Sequence, residues 1–327
     1  MKILITGGAG YIGSFTVKAA INKGYEVVVV DSLERGNKDV IDSRATFVVG
    51  DLKNKDFVTS VFAEHKFDAV VHFAGYISMG ESVVNPYIYF DNNINGSLNV
   101  VECMVKSNCN NFIFSSTAGV YGNPKEIPIS ENNPKNPTNP YGESKLIVER
   151  ILSWYQETQG LNFVSLRYFN AAGASLDAQM GENHDPETHI IPKAINSVLG
   201  NKEFSLYGDD YKTKDGTCIR DYIHVIDLAS AHLSSIGKLQ KEKGGFFYNV
   251  GTGKGYSNKE VMGMIERVCG ITLKVKIEKR RPGDADSLVA DASKIQAELG
   301  FNPEHSDLET IIKTAWEWHK RNLKLKI

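Results

Sequence analysis

The sequence predicts an α/β fold, a doubly wound parallel sheet followed by a smaller C-terminal lobe, and three observations lead to it. Short β-branched runs alternate with helix-period segments over the first half of the chain, the pattern of parallel strands whose connecting helices cover both sheet faces. A glycine-rich turn, TGGAGYIG, joins the first run to the first helix. After about residue 170 the alternation gives way to loops rich in Gly, Asp, His and Pro, such as GASLDAQMGENHDPETH, which mark a lobe of different construction.

Strands are expected at 2–6, 26–31, 46–51, 69–74, 111–116 and 163–168, with helices at 12–23, 55–65, 86–107 and 140–158. The runs VVVV at 27–30 and FIF at 112–114 are apolar throughout, as strands buried on both faces should be. The helix from 140 carries the clearest signals. Asn139 can cap it, Pro140 suits its first position, Leu146, Ile147, Ile151, Leu152 and Tyr155 form an apolar stripe, and Gly160 ends it. Further on, a helix at 226–236 and a strand at 246–250 can rejoin the first sheet. The expected division is therefore 1–170, a Rossmann-type lobe, and 171–327, with residues near 218–251 returning to the first lobe.

A formal net charge of −2 and a pI near 6.5 give no electrostatic reason to expect nucleic acid or an anionic membrane as partner. No apolar run approaches the ~18 residues of a membrane span. Cys103, Cys109, Cys218 and Cys269 show no CxxC or His-flanked spacing, so they read as reduced thiols of a cytoplasmic protein.

Gly7, Gly10 and Gly13 lie between a strand and a helix, where bare backbone lets a pyrophosphate reach the N–H groups of the helix N-terminus. Asp31 ends the second strand, 18 residues past Gly13. Its carboxylate can accept hydrogen bonds from ribose hydroxyls and would repel a 2′-phosphate, which favours NAD over NADP. Arg35 and Arg44 are the nearby cations that would serve NADP instead. Asp51 reads as an adenine contact or as an ordinary turn residue.

Tyr141 and Lys145 share one face of the helix that starts at 140, so the ammonium can sit near the phenol and favour its ionised form. Without such help a phenol titrates near pH 10 and is a poor base at neutral pH. Tyr121 and Lys125 have the same spacing, but Pro124 stands between them and argues against a shared helix face. The run Ser115, Ser116 and Thr117 ends the fifth strand, at the carboxyl edge where open sheets bind ligands. Arg220 and Arg281 each have an Asp nearby, so taken alone they read as surface ion pairs. His184, Asp185 and His189 show no third ligand at metal spacing, so no metal site is expected.

These stretches together resemble the extended short-chain dehydrogenase/reductase family, and within it the UDP-glucose 4-epimerase branch. TGGAGYIGS, VVHFAG, NPYIYFDNNINGSLNV, FSSTAGVYGNP, TNPYGESK, LRYFNAAGA, DGTCIRDYIHVIDLA, YNVGTG and RRPGDADSLVADASK span nearly the whole chain in order. The resemblance implies reversible inversion at C4 of a UDP-hexose through a 4-keto sugar. It implies that Tyr141 is the base, that Lys145 lowers its pKa and holds the nicotinamide ribose, and that Thr117 bonds the reacting hydroxyl. It places NAD against Tyr11, Ile12, Asp31, Asp51, Leu52, Phe73, Ala74, Gly75, Asn92, Tyr141 and Lys145. It places the UDP-sugar against Asn170, His189, Ile190, Tyr207, Arg220, Arg281 and Asp284, with Tyr207 near uracil. A homodimer is implied, paired through the helices near 86–107 and 140–158.

Two positions depart from the branch. Tyr76 and Ile77 follow Gly75 where many members have a leucine and a cofactor-facing lysine, which implies weaker or more exchangeable NAD. Leu288 stands where a tyrosine is common, which implies more room at the sugar C2 substituent and acceptance of N-acetylated UDP-hexosamines. A 4,6-dehydratase would need an acidic pair where Ala118 and Gly119 stand, and a non-catalytic NAD-binding regulator would have lost part of the Thr117, Tyr141 and Lys145 set.

Overall fold

A computed structural model describes residues 1–281 and 284–325. Strands β1 (Lys2–Thr6), β2 (Glu26–Asp31), β3 (Thr46–Val49), β4 (Ala69–His72), β5 (Asn111–Thr117) and β6 (Asn162–Tyr168) pair in parallel in the order β3-β2-β1-β4-β5-β6. This is the doubly wound order, and its direction reverses between β1 and β4, where such sheets bind their ligands. β3 and β4 end earlier than expected, so Asp51 and Ala74 lie in the turns beyond them.

Alternate residues of each strand serve two cores. Ile3, Ile5, Val27, Val29 and Val71 pack in one cluster with α1 (Tyr11–Asn22). Leu4, Val28, Val30, Val70 and Phe112 pack in the other, with α2 (Lys55–Glu64) and the helices that follow β4 and β5. Complete burial of each such side chain contributes about 1.5–3 kcal/mol, so the sheet edge is a rigid platform.

The single helix expected at 86–107 is interrupted. Helix α3 (Met79–Val84), which the sequence reading missed, is followed by α4 (Pro86–Phe90), a π-type turn at Asp91–Asn95, and α5 (Gly96–Lys106). A π turn inserts an extra residue and redirects side chains, often at functional sites; here it turns Asn93 into the protein. Helix α6 (Pro140–Gln159) forms as its signals indicate, with the Asn139 side chain accepting from the Gly142 N–H and Gly160 in the left-handed region as C-cap.

The second lobe has its own core around Ile191, Ile195, Leu206, Val261, Ile265, Ile311 and Ile312. It is built on β7 (Asn170–Ala172), α7 (Ile190–Leu199), β8 (Phe204–Tyr207) and β9 (Ile219–His224). After β9, helix α8 (Val225–Lys241) packs on α1, and β10 (Gly245–Val250) adds parallel to β6 as the seventh strand of the main sheet. The chain then forms β11 (Gly255–Ser257), α9 (Asn258–Cys269), β12 (Val275–Glu278), β13 (Ser287–Leu288), α10 (Ser293–Leu299) and α11 (Leu308–Leu325). A small sheet runs β11-β9-β13 with β7 also on β9, and β8 pairs with β12. Helix α10 joins the first core through Ile295, a further return outside the 218–251 segment. Among the described residues no helix is long and apolar enough to cross a membrane.

Candidate active site

Gly7, Gly10 and Gly13 bring the start of α1 against the end of β1. A Cβ on Gly13 would stand 2.2 Å from the Gly7 carbonyl oxygen, so only glycine permits this approach. Gly10 caps α1 without a side-chain hydrogen bond, which leaves the first N–H groups of the helix, at Tyr11 and Ile12, to an outside acceptor. The Asp31 carboxylate accepts from the Ala9 N–H at 3.0 Å and the Leu33 N–H at 2.9 Å, and each oxygen keeps a further lone pair for a hydroxyl. A bare helix N-terminus beside an oriented carboxylate fits the pyrophosphate and ribose of a dinucleotide.

The two arginines that would serve a 2′-phosphate are engaged elsewhere. Arg35 makes two bonds of 2.8 Å to Glu81 and lies 3.9 Å over the Tyr76 ring, and Arg44 pairs with Asp42 and Asn22. The donor set therefore fits NAD better than NADP. Tyr76, the departure noted in the sequence, donates its hydroxyl to Glu34 at 2.6 Å.

The remaining cofactor-side positions sort by depth. Phe73 packs 4.5 Å from His232, Ala74 lies against Gly7, and Gly75 has Asn93 and the Lys145 ammonium beside it. The Leu52 side chain belongs to the core. Asp51 is half-exposed and faces Lys53 at 3.6 Å. Asn92 lies on the π turn and donates to Asn93 at 3.2 Å.

Tyr141 and Thr117 meet. Thr117 lies close enough to the phenol to favour its ionised form, and its Oγ1 accepts from the Gly119 N–H at 3.0 Å. The approach depends on Gly142, where a Cβ would stand 2.7 Å from the Gly119 carbonyl oxygen. Lys145 has its own partners on the sheet edge. It shares the helix face, but its Nζ donates to the Ser115 carbonyl at 2.9 Å and lies 4.9 Å over the Phe114 ring. Burial, with Tyr168 second, pushes the Tyr141 phenol well above its ordinary pKa, and Thr117 opposes that rise. Burial lowers the Lys145 ammonium to about 8, opposed by Glu149. The carbonyl near the end of β5 is within reach of the long lysine side chain and anchors its ammonium there.

A buried polar framework that local sequence reading missed holds these groups. Asn93 donates to Ser144 of α6 at 2.9 Å and to the Tyr76 carbonyl at 3.1 Å. His72 joins Thr6 at 2.7 Å and Ser97 at 2.9 Å, and burial, with the nearby Lys145 charge, lowers its pKa to about 3, so it is neutral. Glu149, one turn beyond Lys145, binds Arg167 through both oxygens and accepts from Ser116 and Ser165 at 2.7 Å each. Its i+8 spacing from Tyr141 was the available signal.

On the second lobe, Asn170 donates to the Asp221 carbonyl at 2.9 Å, so the RYFN and IRDYIH segments lie side by side. Asn170, Glu182, His189, Ile190 and Tyr222 line one small cavity. Arg220 donates to the Ala285 carbonyl at 2.8 Å and faces Asp284 at 3.6 Å. Arg281 lies 4.2 Å over the Tyr207 ring, with Lys193 at 5.5 Å. Pro282 and Gly283 of the same motif lie outside the described residues. Leu288 pairs with Arg220 across the small sheet and packs in the cluster of Ala118 and Tyr121, which links it to the turn that carries Thr117. His189 directs Nδ1 to Glu182 at 2.6 Å. Burial opposes ionisation of Glu182, but His189 and His184 overcome it and hold the carboxyl low, while Glu182 holds His189 high.

Residues 3–251 match the NAD dependent epimerase/dehydratase family. The chain is 43% identical over 325 residues to a UDP-glucose 4-epimerase of Lactobacillus helveticus, covering 99% of this chain and 98% of that one. Two solved structures share the fold closely. The UDP-glucose 4-epimerase of Brucella ovis in complex with NAD gives a TM-score of 0.93 at 43% identity, covering 96% of this chain and 97% of that one. The UDP-glucose 4-epimerase of Bifidobacterium longum in complex with NAD+ and UDP gives 0.94 at 39% identity, covering 99% of both. Identity at this level over nearly the whole length, joined to the glycine turn and the Thr117, Tyr141 and Lys145 cluster, makes the chain a member of the NAD-dependent epimerase/dehydratase family.

Proposed function

We propose that the protein inverts C4 of a UDP-hexose, interconverting UDP-galactose and UDP-glucose with NAD as its cofactor. The observation that carries this reading is the convergence of Thr117, Tyr141 and Lys145 on the sheet edge that also holds the glycine turn. Residues 1–170 bind NAD in this reading and 171–327 mainly bind the UDP-sugar, a division supported by the separate second core.

Tyr141 takes the proton of the sugar 4-hydroxyl, and Thr117 bridges that oxygen and the phenol. Bound NAD supplies a hydride acceptor and donor together with a positively charged nicotinamide ring. Lys145 remains largely charged at neutral pH, since burial lowers it only to about 8, and in this reading it holds the nicotinamide ribose beside the phenol. Loss of the C4 hydrogen leaves a flat 4-keto sugar, which receives hydrogen on its opposite face after turning. Arg220, Arg281, Asn170 and Tyr207 hold the nucleotide during that turn, and arginine's donor fork suits its diphosphate.

Leu288 favours a broader substrate range. It packs against the cluster that contains Ala118, Val120 and Tyr121 and is smaller than the tyrosine common at this position, which supports acceptance of N-acetylated UDP-hexosamines. Incubation with UDP-galactose and with UDP-N-acetylgalactosamine, with chromatographic separation of products, tests both statements. The gluco epimer is expected from each. No epimer from UDP-galactose would refute the main reading, and none from the N-acetyl sugar would refute the second.

A homodimer paired through the helical segment 86–107 and α6 belongs to this reading, supported by Trp154 of α6, which is 64% exposed; light scattering should give twice the chain mass. A cytoplasmic setting is supported by four free cysteines, three of them buried.

A further inference from the structure

The loop before α7 gathers a donor set that the sequence alone did not assemble. His184 and His189 are joined by Glu182 and Glu187, and the ligand atoms of all four lie within 4.8 Å of one another. Glu182 Oε1 stands 2.6 Å from His189 Nδ1 and 3.1 Å from His184 Nδ1. Glu187 stands 3.4 Å from His189 Nδ1 and 4.0 Å from His184 Nδ1. Around a tetrahedral ion with bonds of about 2.0–2.2 Å, donor atoms stand roughly 3.3 Å apart, so these separations bracket that geometry.

An ion pair needs one imidazole and one carboxylate. Here a second imidazole and a second carboxylate converge on the same point, both histidines through Nδ1. The loop is also braced. Glu182 is 4% exposed, its carbonyl accepts from the Trp318 indole N–H at 3.1 Å, and Gly181 packs under that indole. Glu187 accepts from the Thr188 and His189 N–H groups, which orients it as outer partners orient metal ligands. The Tyr11 ring meets His184 edge-on at 6.3 Å.

We infer that Glu182, His184, Glu187 and His189 form a structural site for a divalent transition metal of the zinc class. Two imidazoles exclude the hard-cation preference of magnesium or calcium sites. Four protein donors close the site, which suits a structural ion rather than a catalytic one. The ion fixes the segment that ends at His189 and Ile190, the entry to α7 and one wall of the cavity at Asn170, and it places the Tyr11 ring at the start of α1 against the same loop.

The test uses the full chain, stripped with chelator, supplied with zinc, magnesium or calcium, and freed of unbound metal by gel filtration. One zinc per chain by mass spectrometry, a melting temperature raised by zinc but by neither other ion, and intense visible absorption on cobalt substitution are expected. His184→Ala and Glu187→Gln, both at partly exposed positions that leave the buried Glu182 in place, should each weaken zinc binding beyond the 10–100-fold that loss of an outer partner costs. No retained zinc, equal stabilisation by magnesium, or wild-type zinc affinity in both variants would overturn the site.

Discussion

The two halves of the candidate site hold their polar groups in different ways. On the sheet edge, each group is fixed by a buried partner from another element: Asn93 by Ser144, His72 by Thr6 and Ser97, Glu149 by Arg167. On the second lobe, the charged candidate substrate residues meet one another through longer contacts between partly exposed side chains, Arg220 with Asp284 at 3.6 Å and Arg281 over Tyr207 at 4.2 Å. The first arrangement suits groups that must keep one geometry through a reaction. The second leaves charges that a diphosphate can take over by exchanging partners.

The comparison breaks first at Tyr141. Tyr141→Phe removes the proposed base from the rigid half, so turnover should fall by roughly 10²–10⁴, the share general acid–base groups supply, while UDP binding by calorimetry stays near wild type. Turnover close to wild type would show that the rigid half does not carry the chemistry. Next come the ion pairs. Glu149→Gln strands the Arg167 charge in the interior and should cost about 3 kcal/mol or more, whereas Asp284→Asn, on a part-exposed pair, should cost under about 1 kcal/mol. Urea unfolding of both variants measures the contrast, and equal losses would erase it.

Acid gives the third handle. Burial lowers His72 to about 3 and both His224 and His232 to about 4, from an ordinary 6.5. Below pH 6.5 the unfolded chain takes up protons that the folded chain refuses, so stability falls as pH drops towards 4. The loss is about 2 kcal/mol per histidine at pH 5. His232→Phe, with its ring between Phe73 and Tyr168, should lose its share of that pH slope in thermal melts; an unchanged slope would contradict the assignment. The smallest effect is one of selectivity. Leu288→Tyr should lower the N-acetyl over the plain substrate rate ratio by roughly tenfold, the worth of a modest steric difference in a pocket, and an unchanged ratio would separate Leu288 from the sugar.

What the sequence reveals follows the same division. The glycine turn, the Asn139 cap and the Tyr141 to Lys145 spacing are local, so short-range rules find them. The partners of Lys145 are not. Its contact with the Ser115 carbonyl depends on how α6 lies across β5, and the π turn that directs Asn93 inward has no marker in a run that otherwise reads as one helix. On the second lobe, Arg220, Tyr207 and Arg281 were reached through resemblance alone, because no periodicity joins residues brought together by two small sheets. Glu182 and Glu187 were overlooked for a related reason. Acidic residues in a loop are ordinary, and only the fold turns them towards His184 and His189.

The central claim is that one sugar carbon gives up its hydrogen and receives it back within a single binding event. UDP-galactose carrying deuterium at C4 tests this directly when the product is analysed by mass spectrometry and NMR with absorbance followed for reduced nicotinamide. UDP-glucose with deuterium retained at C4 and no growing nicotinamide absorbance is the predicted result. Loss of the label to solvent, or steady accumulation of reduced cofactor with a keto product, would contradict the account.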